Sequence, residues 1–162
     1  MTDRTQRQQP APRFDALRLA ASGGTIAGHV DPHALPRLED RVAGSGGRVD
    51  WSIHGAKDAE GRAAVRVKLQ GSVPMTCQRC LGVVSAPVAQ QTLLLVARDD
   101  AELVSLDEAS EHEVVVAREP LDPQVLVEDE LLLTLPFAPR HESDCGPPAV
   151  EGRQEPTTGG EA

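Results

Sequence analysis

The fold is decided by the stretch Ala63-Ala64-Val65-Arg66-Val67-Lys68-Leu69-Gln70-Gly71-Ser72-Val73, in which apolar and polar side chains alternate. One face of this stretch would carry Ala63, Val65, Val67, Leu69, Gly71 and Val73. Arg66 and Lys68 would lie on the opposite face. A period of two residues is typical of a half-buried β-strand, so the stretch predicts a strand with one face in the core and one in solvent.

Neighbouring segments extend this strand into a sheet. Val49–Ile53 alternates in the same way and is followed by a polar turn over 55–61, while Thr92–Val96 is rich in residues that favour a returning strand. Val114–Val116 is a further short β-branched run. The pattern predicts an antiparallel hairpin or meander that has Cys77–Leu81 near its tip.

A helix is predicted near the C-terminal end of the domain. Asp122 is suited to the N-cap and Pro123 to the first turn, and the helical stretch Val125–Leu135 stops at Pro136. One side of the helix would carry Leu121, Val125, Leu132 and Leu135, and the other would carry a solvent-exposed acidic ridge of Glu128, Asp129 and Glu130. With the strands, this gives an α+β fold: an antiparallel sheet and one well-defined C-terminal helix.

Three further segments have weaker patterns. Phe14–Ala20 predicts a short helix or an edge strand, and Leu35–Val42 predicts a weak helix. The charged run Asp99–Glu113 predicts an acidic loop, since charge runs of this kind are usually solvated.

The domain organisation follows from length and composition. The chain has 162 residues, which suits one domain. We expect a flexible N-terminal tail over 1–12, a single domain over 13–146 and a disordered Pro/Gly/Glu-rich tail over 147–162. Only 2% of the residues are aromatic, so the core must be built from Val, Leu, Ile and Ala. A structural metal would help to stabilise a core of this size.

The compartment is predicted from three features. The chain has no apolar run of eighteen residues, its first ten residues lack the apolar stretch of a secretory signal, and its three cysteines are an odd number. We therefore expect a cytoplasmic protein with reduced thiols and no membrane partner.

All three cysteines belong to one candidate metal site. Cys77 and Cys80 form a Cys-x-x-Cys turn, and His141 and Cys145 follow about sixty residues later. Thiolates and imidazole are the ligands that zinc prefers, and structural zinc sites are closed by four protein ligands. The spacing predicts one structural zinc if the segment around His141 folds back over the hairpin.

Other chemistries of Cys-x-x-Cys remain as alternatives, namely thiol–disulfide exchange and a zinc-dependent enzyme. A thioredoxin-like motif lies at a helix N-terminus, but Gly82, Val83 and Val84 disfavour a helix here. Zinc deaminases require an upstream His-x-Glu, which the chain lacks. No set of residues in the sequence forms a recognised catalytic constellation, so we expect a protein that is not an enzyme.

The family is indicated by two blocks of residues. The string Cys77-Gln78-Arg79-Cys80-Leu81 resembles the central signature of the YceD family, the large ribosomal RNA subunit accumulation proteins. The later block Val127–Pro136, followed by Pro139, His141 and Cys145, is similar to the same family. The resemblance covers residues 14–146. Some relatives carry a second Cys-x-x-Cys near the C-terminus, whereas this chain has Cys145 alone after His141.

The resemblance implies a function. A YceD-like chain would be a bacterial ribosome-biogenesis accessory factor that supports the synthesis, processing or stability of large-subunit 23S rRNA. No established enzymatic activity comes with the family. The implied partners are a ribosomal precursor or a ribosomal protein.

The charge distribution limits where such partners can bind. Residues 1–98 contain 13 Lys and Arg and 8 Asp and Glu, whereas residues 99–162 contain 3 and 17. Phosphate would be repelled by the acidic half, so we expect any rRNA contact in the N-terminal half and no DNA partner. The RNA-facing candidates are Arg62, Arg66, Lys68 and Arg79, and the candidates facing a basic protein are Glu128, Asp129 and Glu130; either set would also suit a solvated surface.

Overall fold

A computed structural model describes residues 11–146. In this part of the chain the helices are α1 (Ala16–Ser22), α2 (Asp100–Ala109) and α3 (Pro123–Thr134). The strands are β1 (Thr25–Val30), β2 (Arg48–Lys57), β3 (Ala63–Thr76), β4 (Val83–Ala97) and β5 (Val114–Val116). The predicted α+β class is confirmed. The two predicted tails lie largely outside the described residues, so their character stays a prediction.

The five strands form one sheet in the order β1-β2-β3-β4-β5. The first four strands make an antiparallel meander, in which the alternation predicted β2, β3 and β4 but not β1, and β3 pairs with β4 from Ala64↔Leu95 to Thr76↔Val83. β5 instead joins β4 in parallel through Leu95↔Val114 to Ala97↔Val116. The sheet is therefore mixed, and the Cys-x-x-Cys turn lies at the tip of its longest hairpin.

Parallel pairing of β4 with β5 requires a crossover connection. This explains why the predicted acidic loop over 99–113 contains α2. Asp99 caps this helix by accepting a hydrogen bond from the Glu102 amide at 2.8 Å. The expectation of a loop was wrong, because charged residues are compatible with a helix that lies on the surface.

Two other weakly predicted segments also take definite forms. The first is the helix α1, which is capped by Asp15. The weak helix expected over 35–42 is instead one short 3-10 turn, Pro36–Leu38, which follows a similar turn at Pro32–Ala34. Proline fixes φ at the start of each turn but donates no hydrogen bond, and this interrupts a longer helix.

One face of the sheet carries the core. Its buried cluster contains Val49, Trp51 and Ile53 from β2, Val65, Val67 and Leu69 from β3, Ala16 from α1, and Leu126, Val127 and Leu131 from α3. Arg66 and Lys68 lie on the opposite face and are exposed, as the alternation predicted. The helices α1 and α3 therefore cover the same side of the sheet.

The start of α3 was predicted correctly, but its buried face was not. Asp122 accepts a hydrogen bond from the Gln124 amide at 2.9 Å, and Pro123 occupies the first turn. Val125, expected in the core, is 48% exposed, while Leu126 and Val127 are buried in its place. The helix is apolar on several sides, so its sequence did not determine which side packs on the sheet.

Candidate metal centre

The Cys-x-x-Cys turn is built by the end of β3 and the start of β4. The Cys77 amide donates to the Gly82 carbonyl at 2.8 Å, and the Leu81 amide donates to the Cys77 carbonyl at 2.9 Å. Leu81 has φ 60°, which closes the turn in the left-handed region at a residue that rarely adopts it. The Gly82 amide lies 3.4 Å from the Cys80 sulfur. The turn thus presents both thiols on one side.

A C-terminal segment over 136–145, here called the strap, brings the other two side chains to this turn. Arg41 fixes its start by donating to the Leu135 carbonyl at 3.3 Å and the Pro136 carbonyl at 3.0 Å. The Gln78 amide fixes its middle by donating to the Pro139 carbonyl at 2.8 Å. His141 and Cys145 therefore lie beside residues more than sixty positions earlier in the chain.

The four predicted ligands converge. One ligand atom from each of Cys77, Cys80, His141 and Cys145 can be chosen so that all lie within 4.8 Å of one another. The Cys77 and Cys145 sulfurs are 3.7 Å apart, and the Cys80 sulfur is 3.5 Å from Nδ1 of His141. A tetrahedral zinc with its usual bond lengths places two sulfurs about 3.8 Å apart and a sulfur and nitrogen about 3.6 Å apart. These two distances fit zinc.

The imidazole of His141 is oriented by a hydrogen bond on its far side. Its Nε2 lies 3.1 Å from the Val83 carbonyl, which can only accept, so this nitrogen carries the proton. In the neutral ring Nδ1 then has a free lone pair and faces Cys80. An outer hydrogen bond of this type is usual for histidines that bind a metal.

The thiols of this cluster differ in acidity when no metal is bound. The amide of Cys80, helped by that of Arg79, lowers the pKa of Cys77 to about 5 against the effect of burial. Burial, together with the neighbouring sulfurs, raises the pKa of Cys145 to about 11. Cys77 thus ionises readily, whereas the raised pKa of Cys145 disfavours a second negative charge beside it, and a divalent cation would relieve that repulsion.

The surroundings of the thiols favour a metal ligand over a redox pair. Cys77 is 0% exposed, so its thiolate has no direct access to a substrate disulfide. The turn leads into β4 rather than a helix, and the three cysteines are free. Cys77 thus has the lowered pKa of a thioredoxin-like cysteine, but it lacks the helix N-terminus and the solvent accessibility of such a site.

The predicted RNA-facing residues differ in their surroundings. Arg66 and Lys68 are exposed side by side on β3, and within residues 11–146 neither forms an ion pair. Arg79 lies 3.8 Å from Asp144. Arg62 forms ion pairs with Asp58 through Nε at 2.6 Å and with Glu60 at 3.2 Å, so it stabilises the turn between β2 and β3.

The Asp58–Arg62 pair gives a prediction for pH dependence. Burial favours a higher pKa for Asp58, but the Arg62 amide and guanidinium outweigh it and lower the pKa below its ordinary value. A carboxylate whose pKa is lower in the folded than in the unfolded state stabilises the fold above about pH 4. This stabilisation is lost as the pH falls through the pKa of the folded state. We expect the urea midpoint of the wild type to drop more steeply below pH 4 than that of Asp58→Asn. Arg62→Gln keeps the backbone amide and removes the guanidinium, so its profile should lie between the other two; parallel profiles of the wild type and Asp58→Asn would contradict the assignment.

The prediction of a solvent-exposed acidic ridge was wrong for two of its three residues. Glu128 is 5% exposed and Glu130 is 2% exposed, and Asp129 alone is partly exposed. Glu128 accepts from the Arg37 amide at 2.6 Å and lies 3.2 Å from its Nε. The side chains of Glu128 and Glu130 therefore point into the protein. Asp129 forms an ion pair with Arg37 at 2.5 Å.

Glu130 belongs to a buried polar network that joins α3 to β4. It accepts from the Gln90 amide group at 3.2 Å, and the same group donates to Thr92 at 3.0 Å. The Thr134 hydroxyl contacts the Gln90 carbonyl oxygen. Gln90 and Thr92 interrupt the apolar core face of β4, and this interruption is the sequence signal that could have indicated a polar partner above it.

One protein family matches the part of the chain that contains the candidate metal centre. The family model described as large ribosomal RNA subunit accumulation protein YceD matches residues 65–161, which is more than half of the chain and includes all four converging ligands. No solved structure shows significant similarity to the chain. In the part of the chain that the structure describes, no helix is long and apolar enough to cross a membrane.

Proposed function

The chain belongs to the YceD family, and we propose that it is a cytoplasmic, non-enzymatic factor that supports the synthesis, processing or stability of large-subunit 23S rRNA. The observation that carries this proposal is the family match over β3, β4, α3 and the strap. Of these elements, β3, β4 and the strap also form the candidate metal centre. The function and the metal would thus depend on the same part of the fold.

We further propose that Cys77, Cys80, His141 and Cys145 hold one structural zinc. When bound, zinc would supply a cross-link between the hairpin turn and the strap. Four protein ligands leave no position open for a substrate or a reactive water, and this supports a structural role. The same argument supports the proposal that the centre is not an active site.

Thiol–disulfide exchange is the second candidate, because the lowered pKa of Cys77 favours a thiolate. The two candidates predict different thiol reactivity. A reactive Cys77 would be alkylated rapidly at neutral pH in the protein as purified. A zinc ligand that is buried would be alkylated slowly, and faster only after chelation.

The side of the sheet that faces away from α1 and α3 is the proposed contact with a ribosomal precursor. Arg66 and Lys68 offer unpaired positive charge there within the described residues, while Asp50 on β2 is engaged by Arg48 at 2.9 Å. Two cations suit a weak electrostatic contact, which is compatible with the net charge of −9. A basic ribosomal protein was expected to contact Glu128, Asp129 and Glu130. Of these three residues, Asp129 alone is partly exposed and could make that contact.

The proposed function predicts an effect on rRNA in cells. In a bacterium that lacks the gene for this chain, we expect the ratio of large-subunit to small-subunit rRNA to fall, as measured by electrophoresis of total RNA. The wild-type gene should restore the ratio, and Cys80→Ser should not, because the strap loses its cross-link.

The control variant is His112→Gln, which changes an exposed histidine outside the cluster and should restore the ratio fully. Protein levels are compared in parallel so that degradation is visible. An unchanged ratio in the strain without the gene would contradict the proposed function.

A further inference from the structure

β4 has a long outer edge that no other strand of the described residues covers. β4 extends over Val83–Ala97, but β5 pairs with it only from Leu95 to Ala97. At the other end the strap reaches the edge, where the Val83 carbonyl accepts from His141. The edge over 85–93 is left between these two contacts, and nine residues of a strand extend about 30 Å. An open strand edge of this length is a template on which another extended chain can pair.

The backbone groups that point outward from this edge follow from the alternation of an antiparallel pair. The Leu95 amide donates to the Glu113 carbonyl at 2.9 Å and the Val83 carbonyl accepts from His141, so the odd-numbered residues of β4 turn their backbone groups away from β3. The register between β3 and β4 runs without a bulge over this stretch. Pro87 agrees with this parity, because proline has no amide proton and is tolerated at an edge where its nitrogen faces away from the ladder.

The outward backbone groups of the edge have no partner within residues 11–146. Carbonyls point outward at all the odd positions from 85 to 93, and amide protons point outward at the same positions except Pro87. In the described part of the chain none of them takes part in a hydrogen bond on that side. The residues that offer both groups are Ser85, Ala89, Gln91 and Leu93.

A groove of about 620 Å³ lies beside this edge, between β4, α3 and the segment that precedes β5. Its apolar side chains are Leu93 and Leu133, and Leu133 is 66% exposed on α3. A strand added to the edge would remove part of this leucine from water. The edge therefore offers apolar contact as well as backbone hydrogen bonds.

The groove is acidic. Glu111 and Glu113 are exposed in its lining, and within residues 11–146 neither forms an ion pair. Glu130 is buried in the lining and accepts from the Gln90 amide group rather than from a cation. Arg66 is the one Lys or Arg among the described lining residues. Three carboxylates against one guanidinium leave a net charge of −2 with His112 neutral, so the groove complements a basic ligand.

We propose that the open edge of β4 binds an extended, lysine- or arginine-containing segment of a protein partner, which joins the sheet as a further strand. The backbone of the segment pairs with residues 85–93, its apolar side chains cover Leu133, and its cations pair with Glu111 and Glu113. In this mode of recognition, main-chain hydrogen bonds supply affinity and alternate side chains supply specificity. The inference goes beyond the proposed function, because it depends on the strand edge and not on an effect on rRNA.

The charge of the molecule favours a basic segment over a second copy of this chain. Each copy has a net charge of −9, and pairing two β4 edges would bring two acidic grooves towards each other. The same negative groove repels the phosphates of a nucleic acid. A basic polypeptide therefore fits both the hydrogen-bonding groups and the charge of this edge.

Fluorescence anisotropy with the full chain tests the proposal, and the probe is a labelled peptide of about nine residues that alternates lysine and valine. We expect binding that weakens as salt is raised, and none by a peptide that alternates glutamate and valine. N-methylation of the lysine amides or of the valine amides gives two further probes. Only one of these two sets faces β4, so one probe should lose at least about 10-fold in affinity and the other should bind as the parent does.

Variants of the protein locate the contact. Gln91→Pro removes an outward amide without breaking the ladder to β3, and should weaken binding by about 10-fold. Glu111→Gln combined with Glu113→Gln should weaken it by about 5-fold, which corresponds to exposed ion pairs. Glu108→Gln changes an exposed carboxylate of α2 outside the groove and is the matched control, with binding equal to that of the wild type.

Several results would overturn the inference. These are no binding of the lysine–valine peptide by the wild type, equal binding of the two N-methylated probes, and unchanged binding by Gln91→Pro that circular dichroism shows to be folded. A dimer in analytical ultracentrifugation that Gln91→Pro dissociates would assign the edge to a second copy and also overturn it. If Gln91→Pro does not fold, the N-methylated probes decide the question. An unchanged rRNA ratio in the strain without the gene would contradict the proposed function and leave this inference standing.

Discussion

Replacing Cys80 by serine is expected to abolish zinc binding and to lower the melting temperature by on the order of 10 °C. Cys80 is one of four converging ligands, and its sulfur lies 3.5 Å from Nδ1 of His141. Three remaining ligands bind the metal far more weakly. The strap then keeps its hydrogen bonds to Arg41, Gln78 and Val83 and the ion pair between Asp144 and Arg79, but no metal cross-link.

The size of this effect follows from linkage. A ligand present at about 1,000 times its Kd stabilises the folded state by about 4 kcal/mol. For a chain of this length each kcal/mol corresponds to about 2–4 °C in the melting temperature. Cys80 is the suitable position because it is only partly buried, so the substitution itself should cost little beyond the metal.

Thermal unfolding followed by circular dichroism, with and without a chelator, measures this effect. The chelator should lower the melting temperature of the wild type to that of Cys80→Ser and should leave the variant unchanged. His112→Gln should behave as the wild type. If protein shown beforehand to contain zinc unfolds at the same temperature after chelation, the metal does not stabilise the fold.

Gly55→Ala is expected to destabilise the protein by about 3 kcal/mol or more. A Cβ added to Gly55 would lie 1.8 Å from the Leu19 carbonyl oxygen and 2.5 Å from the Leu19 carbonyl carbon. Both are backbone atoms of α1, so no side chain can rotate away. The helix would have to move off β2, which would expose Ala16 and Ala20 and break the hydrogen bond from the Gly55 amide to the Gly24 carbonyl.

The matched control is Gly24→Ala, in the turn at the other end of that hydrogen bond. Its new Cβ would meet only the Ser22 hydroxyl at 3.3 Å and a Leu19 methyl group at 3.4 Å, both of which can shift. We expect a loss of less than about 1 kcal/mol in urea unfolding. Equal stability of the two variants would show that α1 is not docked through Gly55.

The sheet and the metal ligands were predictable because their signals are local or chemically specific. Alternation over 63–73 fixed which side of β3 faces the core, and Asp122 with Pro123 fixed the start of α3. The convergence of His141 and Cys145 on the Cys-x-x-Cys turn was predicted from ligand chemistry alone. No periodicity would have indicated it, since more than sixty residues separate the two halves.

The errors arose where a distant partner decides the environment. Glu128 is buried because the Arg37 side chain and amide, 91 residues earlier, satisfy it. Arg62 is held by Asp58 four residues before it, which is a local ion pair, and its predicted contact with RNA stays a prediction. The exposure of Phe137 was also not predicted, because a phenylalanine between prolines is ordinarily expected to pack. The burial of Glu128 and the exposure of Phe137 therefore depend on the tertiary structure.

The most direct test of the metal centre is elemental analysis combined with zinc X-ray absorption on protein purified without a metal-affinity tag. We expect about one zinc per chain with a shell of three sulfurs at about 2.3 Å and one nitrogen at about 2.0–2.1 Å. Protein that contains no metal and has three titratable thiols would contradict the account.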